Sequence, residues 1–222
     1  MKILDIPQSG KRGLTVSQGG RNGQISRSLV IPANPQTDAQ MRVRNFLGNV
    51  AAKWSTLTQA QRNAWTAEAK QHQSRPRLGQ SGPLTGLQLY AKINCNLLII
   101  GGAEVDTPPQ APQFGVLPVS GLAITNTGGV VTLKLTTTDS PADGTMLRGA
   151  PPVKQGRDRS PEVVFLGVLP SPVGNAVDIS SLYKGRYGSP AVGSKVFVQV
   201  NQNSGGWEDV PHQFSAIVPA AS

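Results

Sequence analysis

The sequence predicts an α+β multidomain protein in which an extended N-terminal arm and a small three-helix module precede a C-terminal antiparallel β-sandwich. Three observations lead to this prediction: a start rich in Gly, Ser and Arg, a middle part with apolar residues at helical spacing, and a long C-terminal part with apolar residues of period two. The predicted boundaries are 1–36 for the arm, 37–106 for the helical module, 107–112 for a Pro-rich linker and 113–222 for the β-domain.

The predicted arm is basic and poor in apolar residues. No Asp or Glu occurs between Asp5 and Asp38. So little apolar surface does not offset the entropy that a chain loses when it becomes ordered alone. The segment is therefore either a disordered terminus or an arm that lies extended on a partner. The spacing of its few apolar residues favours the partner, and Leu29-Val30-Ile31 is suited to add a short strand to a neighbouring sheet edge.

Start signals and apolar stripes predict three helices. Asn34-Pro35-Gln36-Thr37-Asp38 is typical of a helix start, and the pairs Thr58/Gln61 and Thr85/Gln88 have capping-box spacing. Gly101-Gly102 predicts the end of the third helix. The apolar stripe of the first helix consists of Val43, Phe46, Leu47, Val50 and Trp54. We expect Phe46, Trp54 and Trp65 to form the core of this module.

Beyond the three prolines of residues 107–112, the apolar pattern acquires a period of two. Six strand candidates follow, with turn signals between them such as Asn126-Thr127-Gly128-Gly129 and Asn203-Ser204-Gly205-Gly206. The candidates are 122–125, 130–136, 145–148, 163–169, 195–202 and 212–218. Such regular spacing predicts an antiparallel β-sandwich.

Positive charge is concentrated in the first half of the chain. Residues 1–112 contain 13 Lys/Arg and 5 Asp/Glu, and residues 113–222 contain 8 and 7, so most of the net charge of +9 belongs to the arm and the helices. This distribution favours attachment to an acidic surface or to nucleic acid. The residues expected to make the attachment are Arg12, Arg21, Arg27, Leu29, Ile31, Arg42 and Arg44.

The sequence predicts no enzyme, no cofactor and no metal site. Cys95 is the only cysteine, and its place in the third helical stripe favours a core role. His72 and His212 lie in different halves, so no Cys/His group has zinc spacing. The chain also contains no phosphate loop and no apolar run of membrane-spanning length. Pro7 interrupts the N-terminal apolar residues, which predicts that there is no signal peptide.

Two patterns resemble known families. The residues Trp54, Leu57, Thr58, Gln61, Arg62, Trp65 and Ala69 resemble the later helices of an HMG box, a DNA-bending module, although that family's dense lysines and wedge-bearing first helix are missing. A broader likeness combines the basic arm, the Asn34-Pro35-x-Thr37-x-x-Gln40 helix start, the Trp54-to-Trp65 helix pattern, the Pro-rich connector and the β-domain. This order resembles accessory virion proteins of tailed bacteriophages.

The phage resemblance implies a non-enzymatic virion protein, made in the host cytoplasm, that serves as a capsid cement or decoration protein. Its arm and helices would bind capsid or another virion protein, its β-domain would be immunoglobulin-like or fibronectin-like, and it would be able to form a homo-oligomer. A tail or neck component is the nearest variant. The alternatives are a DNA-binding architectural protein that uses the basic helices, and a sugar-binding β-domain with Trp207 or with Tyr183 and Tyr187 as stacking platforms.

Overall fold

The computed structural model describes residues 8–20, 23–31, 33–74 and 81–221. In these residues the chain is a mixed α+β structure with four helices and several antiparallel sheets, which confirms the predicted class. Its contacts group the chain into two compact units, Met1–Met41 and Arg42–Ser222.

The N-terminal unit contains a three-stranded antiparallel sheet. Its strands are β1 (Gly10–Arg12), β2 (Thr15–Gly20) and β3 (Gly23–Ser28), with β2 in the centre. Gly13, at a φ of 58°, forms the tight turn between β1 and β2. The segment that we expected to be an extended arm therefore pairs with itself, because a two-residue turn lets its strands meet locally.

Four helices occur in the described residues, and the predicted start signals account for three of them. The helices are α1 (Asp38–Thr56), α2 (Gln59–Ala69), α3 (Gly86–Ile99) and α4 (Ser180–Tyr187). Thr58 and Thr85 each form a complete capping box at α2 and α3. The Gly102 amide donates to the Leu97 carbonyl oxygen at 2.8 Å, which ends α3 where the sequence predicts. The sequence did not predict α4.

One apolar core holds the first three helices together. Trp65 and Tyr90 are fully buried and meet edge to face, with ring centroids 5.3 Å apart, and half-buried Trp54 packs on the same tyrosine. Phe46, which we expected in this core, is only half-buried and is not part of it. The core reaches α1 only at Val50 and Trp54, one turn and two turns further along the helix.

Among the described residues after α3, the unit contains ten strands, all paired antiparallel, and α4; every strand candidate corresponds to one of these strands. The larger sheet has the order β13-β10-β6-β8, with β7 paired to β10, and the smaller sheet has the order β4-β5-β9. Strands β11 and β12 form a separate hairpin. The bounds are Val119–Thr127 (β4), Val130–Thr137 (β5), Met146–Gly149 (β6), Val153–Lys154 (β7), Val164–Val168 (β8), Ala176–Asp178 (β9), Ser194–Asn201 (β10), Asn203–Ser204 (β11), Trp207–Glu208 (β12) and His212–Ile217 (β13).

Both sheets contribute to one hydrophobic core. Alternate residues of β5, namely Val131, Leu133 and Leu135, are buried, and so are alternate residues of β10, beginning with Val196 and Val198. Tyr183 of α4 is buried in the same cluster. This alternation follows from the period-two pattern, since successive strand residues point to opposite faces.

The β-half also completes the helical core. Trp207, at the start of β12, is 6% exposed and packs with residues of α2 and α3. The Asn96 side chain of α3 donates to the Gly206 carbonyl oxygen at 3.0 Å. Residues 107–112, predicted to be a linker, therefore do not separate two compact units; the helices and the β-half belong to one.

Candidate protein-interaction surface

The N-terminal sheet has one basic and apolar face. Strand register pairs Lys11 with Val16, Val16 with Arg27, and Gln18 with Ile25. Because directly paired residues of an antiparallel sheet share a face, Lys11, Val16, Ile25 and Arg27 lie together, and we call these four residues the basic-apolar face. Arg12 lies on the opposite face, where register pairs it with Thr15 and Thr15 with Ser28.

This sheet has no core of its own. Among residues 8–19, 23–31 and 33–41 no side chain is buried. Ile25 is 47% exposed, and Leu14, in the β1–β2 turn, is 82% exposed. Apolar side chains stabilise a sheet when they are removed from water, and those of this sheet are at most half-buried. The basic-apolar face is therefore suited to be covered by another molecule.

The structure separates the residues that the sequence grouped as attachment residues. Arg12 and Arg27 are exposed on opposite faces of the sheet. Leu29 is half-buried beyond the end of β3 and donates its amide to the Leu14 carbonyl oxygen at 2.6 Å, whereas Ile31 is 82% exposed. Leu29 to Ile31, expected to add a strand, lies outside β1, β2 and β3. Arg21 lies outside the described residues.

The remaining predicted attachment residues, Arg42 and Arg44, are exposed on α1. The Arg42 guanidinium lies over the Phe46 ring, 5.4 Å from its centroid, so part of the ring is covered by a cation. In the described part of the chain, no carboxylate lies within salt-bridge distance of either arginine. Their charge is therefore available to an outside partner.

Lys53, further along α1, has a different environment. Its Nζ lies 3.0 Å from Asp106 Oδ1 and 3.2 Å from Glu104 Oε2. These hydrogen bonds, first to Asp106 and then to Glu104, raise the pKa of Lys53 above its ordinary value. Nearby, buried Asn94 accepts from the Val105 amide at 2.7 Å and donates to the Val105 carbonyl oxygen at 3.2 Å. The segment after α3 is thus fixed to the helices by charge and by hydrogen bonds.

Side chains that are often catalytic make structural contacts here. Cys95 is half-buried in α3, and burial raises the pKa of its thiol, which disfavours the nucleophilic thiolate. His72 lies 3.1 Å from Glu68 Oε1, and its ring packs 4.5 Å from that of Trp207. Within the described residues, no three His, Cys, Asp or Glu side chains form a group that could hold a metal ion.

The aromatic residues considered as sugar platforms are largely covered. Trp207 is buried against the helices, and its Nε1 donates to the Pro109 carbonyl oxygen at 3.1 Å. Tyr183 is fully buried and donates to the Ala150 carbonyl oxygen at 2.8 Å, and half-buried Tyr187 donates to the Gly149 carbonyl oxygen. Burial raises the pKa of both tyrosines. Because sugar stacking needs an exposed ring face, this arrangement opposes the sugar-binding hypothesis.

A polar crevice of about 270 Å³ lies where the helices meet the larger sheet. Lys92, Arg148 and Glu208 line it, and Arg148 Nη2 pairs with Glu208 Oε1 at 2.9 Å. The ion pair could not be predicted because its members are 60 residues apart.

No helix in the described residues has the length and apolar character needed to cross a bilayer. Comparison of the chain with protein-family models, with curated proteins and with solved structures finds no match.

Proposed function

We propose that this chain is a non-enzymatic structural protein of a phage virion, most simply a capsid cement or decoration protein. Its N-terminal unit and first helix attach it to capsid or another virion protein, and its β-half is the exposed part. We further propose that the two sheets of the β-half form an immunoglobulin-like or fibronectin-like sandwich, because their inner faces share one core.

The observation that carries the proposal is that no side chain is buried among residues 10–19 and 23–28 of the N-terminal sheet. On the basic-apolar face, half-buried Val16 lies between Lys11 and Arg27, and exposed Ile25 lies beside Arg27 on β3. A second surface that covers this face removes Val16 and Ile25 further from water, which stabilises the contact. When a structural protein is bound in many copies to a repeated surface, that surface covers such a face permanently.

The positive charge of the N-terminal unit indicates an acidic partner surface. The described N-terminal unit carries Lys11, Arg12 and Arg27, and its only acid is Asp38 at the start of α1. Arginine forms bidentate hydrogen bonds with carboxylates. Many copies on one lattice would make individually weak contacts collectively durable. An acidic shell or tail surface therefore fits this unit.

The environment of the ionisable side chains supports a role without catalysis. The thiol of Cys95 is held in its neutral form by burial, and His72 is engaged by Glu68 and Trp207. In the polar crevice, Arg148 pairs with Glu208. These contacts stabilise the fold.

Charge reversal on the basic-apolar face tests the proposal. The double variant Lys11→Glu, Arg27→Glu should lose attachment to nuclease-treated particles, because both cations that border the apolar residues become acids. The measurement is co-sedimentation of the tagged chain with particles purified from producing cells. Deletion of residues 1–36 should have the same effect.

The matched control is Arg157→Glu with Arg159→Glu, which makes the same charge change at exposed positions of the β-half. This control should remain bound. Equal loss in both double variants would mean that net charge alone controls binding, and normal attachment of the deletion variant would contradict the proposal.

The exposed arginines also favour a second candidate, a DNA-binding architectural protein. Arg12, Arg27, Arg42 and Arg44 are exposed, as phosphate contacts require. In that case the purified chain should retard bare duplex DNA, with an affinity that falls steeply as salt rises. Tight duplex binding together with loss of the chain from nuclease-treated particles would favour this candidate over the virion protein.

A further inference from the structure

The apolar stripe of α1 has a covered half and an uncovered half. In the second half, Val50 is fully buried and Trp54 packs on Tyr90 with ring centroids 5.3 Å apart. In the first half, Val43 is 55% exposed and Leu47 is 52% exposed. The same stripe thus begins as surface and ends as core.

The covered half shows which chemistry suits this stripe. Its neighbours within the unit are the apolar side chains of α2 and α3, and the cation beside it, Lys53, meets the carboxylates of Glu104 and Asp106. The chain therefore covers its own stripe with an apolar surface that has carboxylates at its border.

The uncovered half of the stripe also combines apolar and basic residues, but among the described residues it lacks the apolar neighbours and the carboxylates that meet the covered half. At 3.6 residues per turn, Val43, Phe46 and Leu47 form one face of α1, with Arg42 on one border of this face and Arg44 on the other. The Arg42 guanidinium lies 5.4 Å from the Phe46 ring centroid, which places the cation directly beside the apolar residues. Neither arginine has an ion-pair partner in the described part of the chain.

We propose that this uncovered face, made of Arg42, Val43, Arg44, Phe46 and Leu47, docks as a helix into an apolar groove bordered by carboxylates on a different protein. The inference rests on the proposed function in one respect, since it takes that groove to belong to a virion protein. Helix-in-groove recognition uses apolar residues at this spacing, and carboxylates at the border satisfy both guanidinium groups.

Two other occupants fit less well. A second copy in a two-fold contact would bring the arginines of one copy against the arginines of the other. Nucleic acid would meet the arginines but would leave the apolar residues between them without a counterpart. A protein groove satisfies the cations and the apolar residues together.

The test uses a photo-crosslinking amino acid in the full chain, expressed in cells that produce particles. It is placed at position 47, at the centre of the proposed contact, or at exposed Asn45 on the opposite side of α1 as the matched control. We expect at least ten-fold more crosslinked protein from position 47 than from position 45. Mass spectrometry of the crosslinked peptide should show apolar residues together with Asp or Glu.

A charge swap completes the test. Changing the partner's carboxylates to Lys should abolish the crosslink, and Arg42→Glu with Arg44→Glu in this chain should restore it. A crosslink to a second copy, to nucleic acid, or with equal yield from positions 45 and 47 would overturn the inference.

The outcomes distinguish this inference from the proposed function. No crosslink from position 47 in a chain that still co-purifies with particles would overturn the docking face alone. A crosslink to an acidic groove of a protein that is not part of the virion would support the docking face and overturn the virion assignment.

Discussion

At the scale of single residues, two indole groups anchor the segment between α3 and β4. Trp65 of α2 donates from Nε1 to the Asp106 carbonyl oxygen at 2.9 Å, and Trp207 of β12 donates to the Pro109 carbonyl oxygen at 3.1 Å. A buried indole N–H without an acceptor is costly, so each ring requires this backbone to remain in place. The backbone at Asp106 and Pro109 is thereby fixed to the helical core by two hydrogen bonds.

Gly206 makes a close contact that tests this junction. It has a φ of 85°, and a Cβ added there would lie 2.6 Å from the Ile93 carbonyl oxygen. Gly206→Ala should therefore lower the free energy of unfolding through both backbone strain and a clash with α3. Gly129→Ala is the matched control, because Gly129 has a φ of 84° with nothing near its Cβ position.

We expect Gly206→Ala to cost about 1–3 kcal/mol more than Gly129→Ala, the usual range for overpacking a core. Urea unfolding followed by tryptophan fluorescence measures both variants. Equal losses of unfolding free energy in the two variants would mean that the β11–β12 turn does not lie in close contact with α3 in solution.

Single residues were predictable from sequence where a local pattern determined them. Trp65 and Cys95 were assigned to helical stripes, and the structure places both against the helical core. Trp207 was not assigned there, because its contacts come from α2 and α3, more than 100 residues away in sequence. The attachment arginines were found by charge, but the division of Arg12 and Arg27 between two faces depends on strand register, which the sequence does not specify.

At the scale of elements, α4 shows why one helix was missed. Its sequence contains Gly185, and its N-cap residue, Ile179, makes no side-chain capping bond, so it lacks the signals that identified α2 and α3. It is held by distant partners instead. Tyr183 and Tyr187, one turn apart, donate to carbonyl oxygens of Ala150 and Gly149. A capping box can be recognised in the local sequence, whereas hydrogen bonds between residues that are distant in sequence cannot.

The start of α4 makes a pH-dependent contribution. Asp178 Oδ1 accepts from the Ser180 amide at 2.8 Å. Hydrogen bonds from the Ser180 side chain and backbone hold the pKa of Asp178 below its ordinary value. A carboxyl with a lowered folded pKa stabilises the fold above its unfolded pKa, and this stabilisation is lost as pH falls through the folded value.

The variant Asp178→Asn keeps an acceptor oxygen but does not ionise. Relative to this variant, the native chain should be more stable at pH 7 and should lose that advantage below pH ~4. Urea unfolding of both proteins at pH 7 and at a pH below ~4 measures the difference in their free energies of unfolding. An advantage that stays constant or grows on acidification would contradict the assigned role of the Asp178 carboxylate.

At the scale of the whole molecule, the division of the chain differs from the one that composition indicated. Composition placed a boundary at the prolines of residues 107–112, since such stretches often separate domains. The contacts instead join Arg42–Ser222 into one unit. The reason is long-range: the helical core contains Trp207, and the backbone beside the prolines accepts hydrogen bonds from two tryptophans.

This shared core predicts that the helices and the β-half unfold together. Trp54, Trp65 and Trp207 all belong to or border the helical core, so tryptophan fluorescence reports on it. Amides of β10, around Val198, report on the core of the two sheets.

Because removing either half would leave Trp207 or its helical neighbours exposed to water, neither half should persist without the other. Fluorescence and hydrogen exchange in β10 should therefore give one urea midpoint for the full chain. Two well-separated midpoints would mean that residues 107–112 connect two independently stable domains, and the Gly206→Ala variant would then lower the fluorescence midpoint alone.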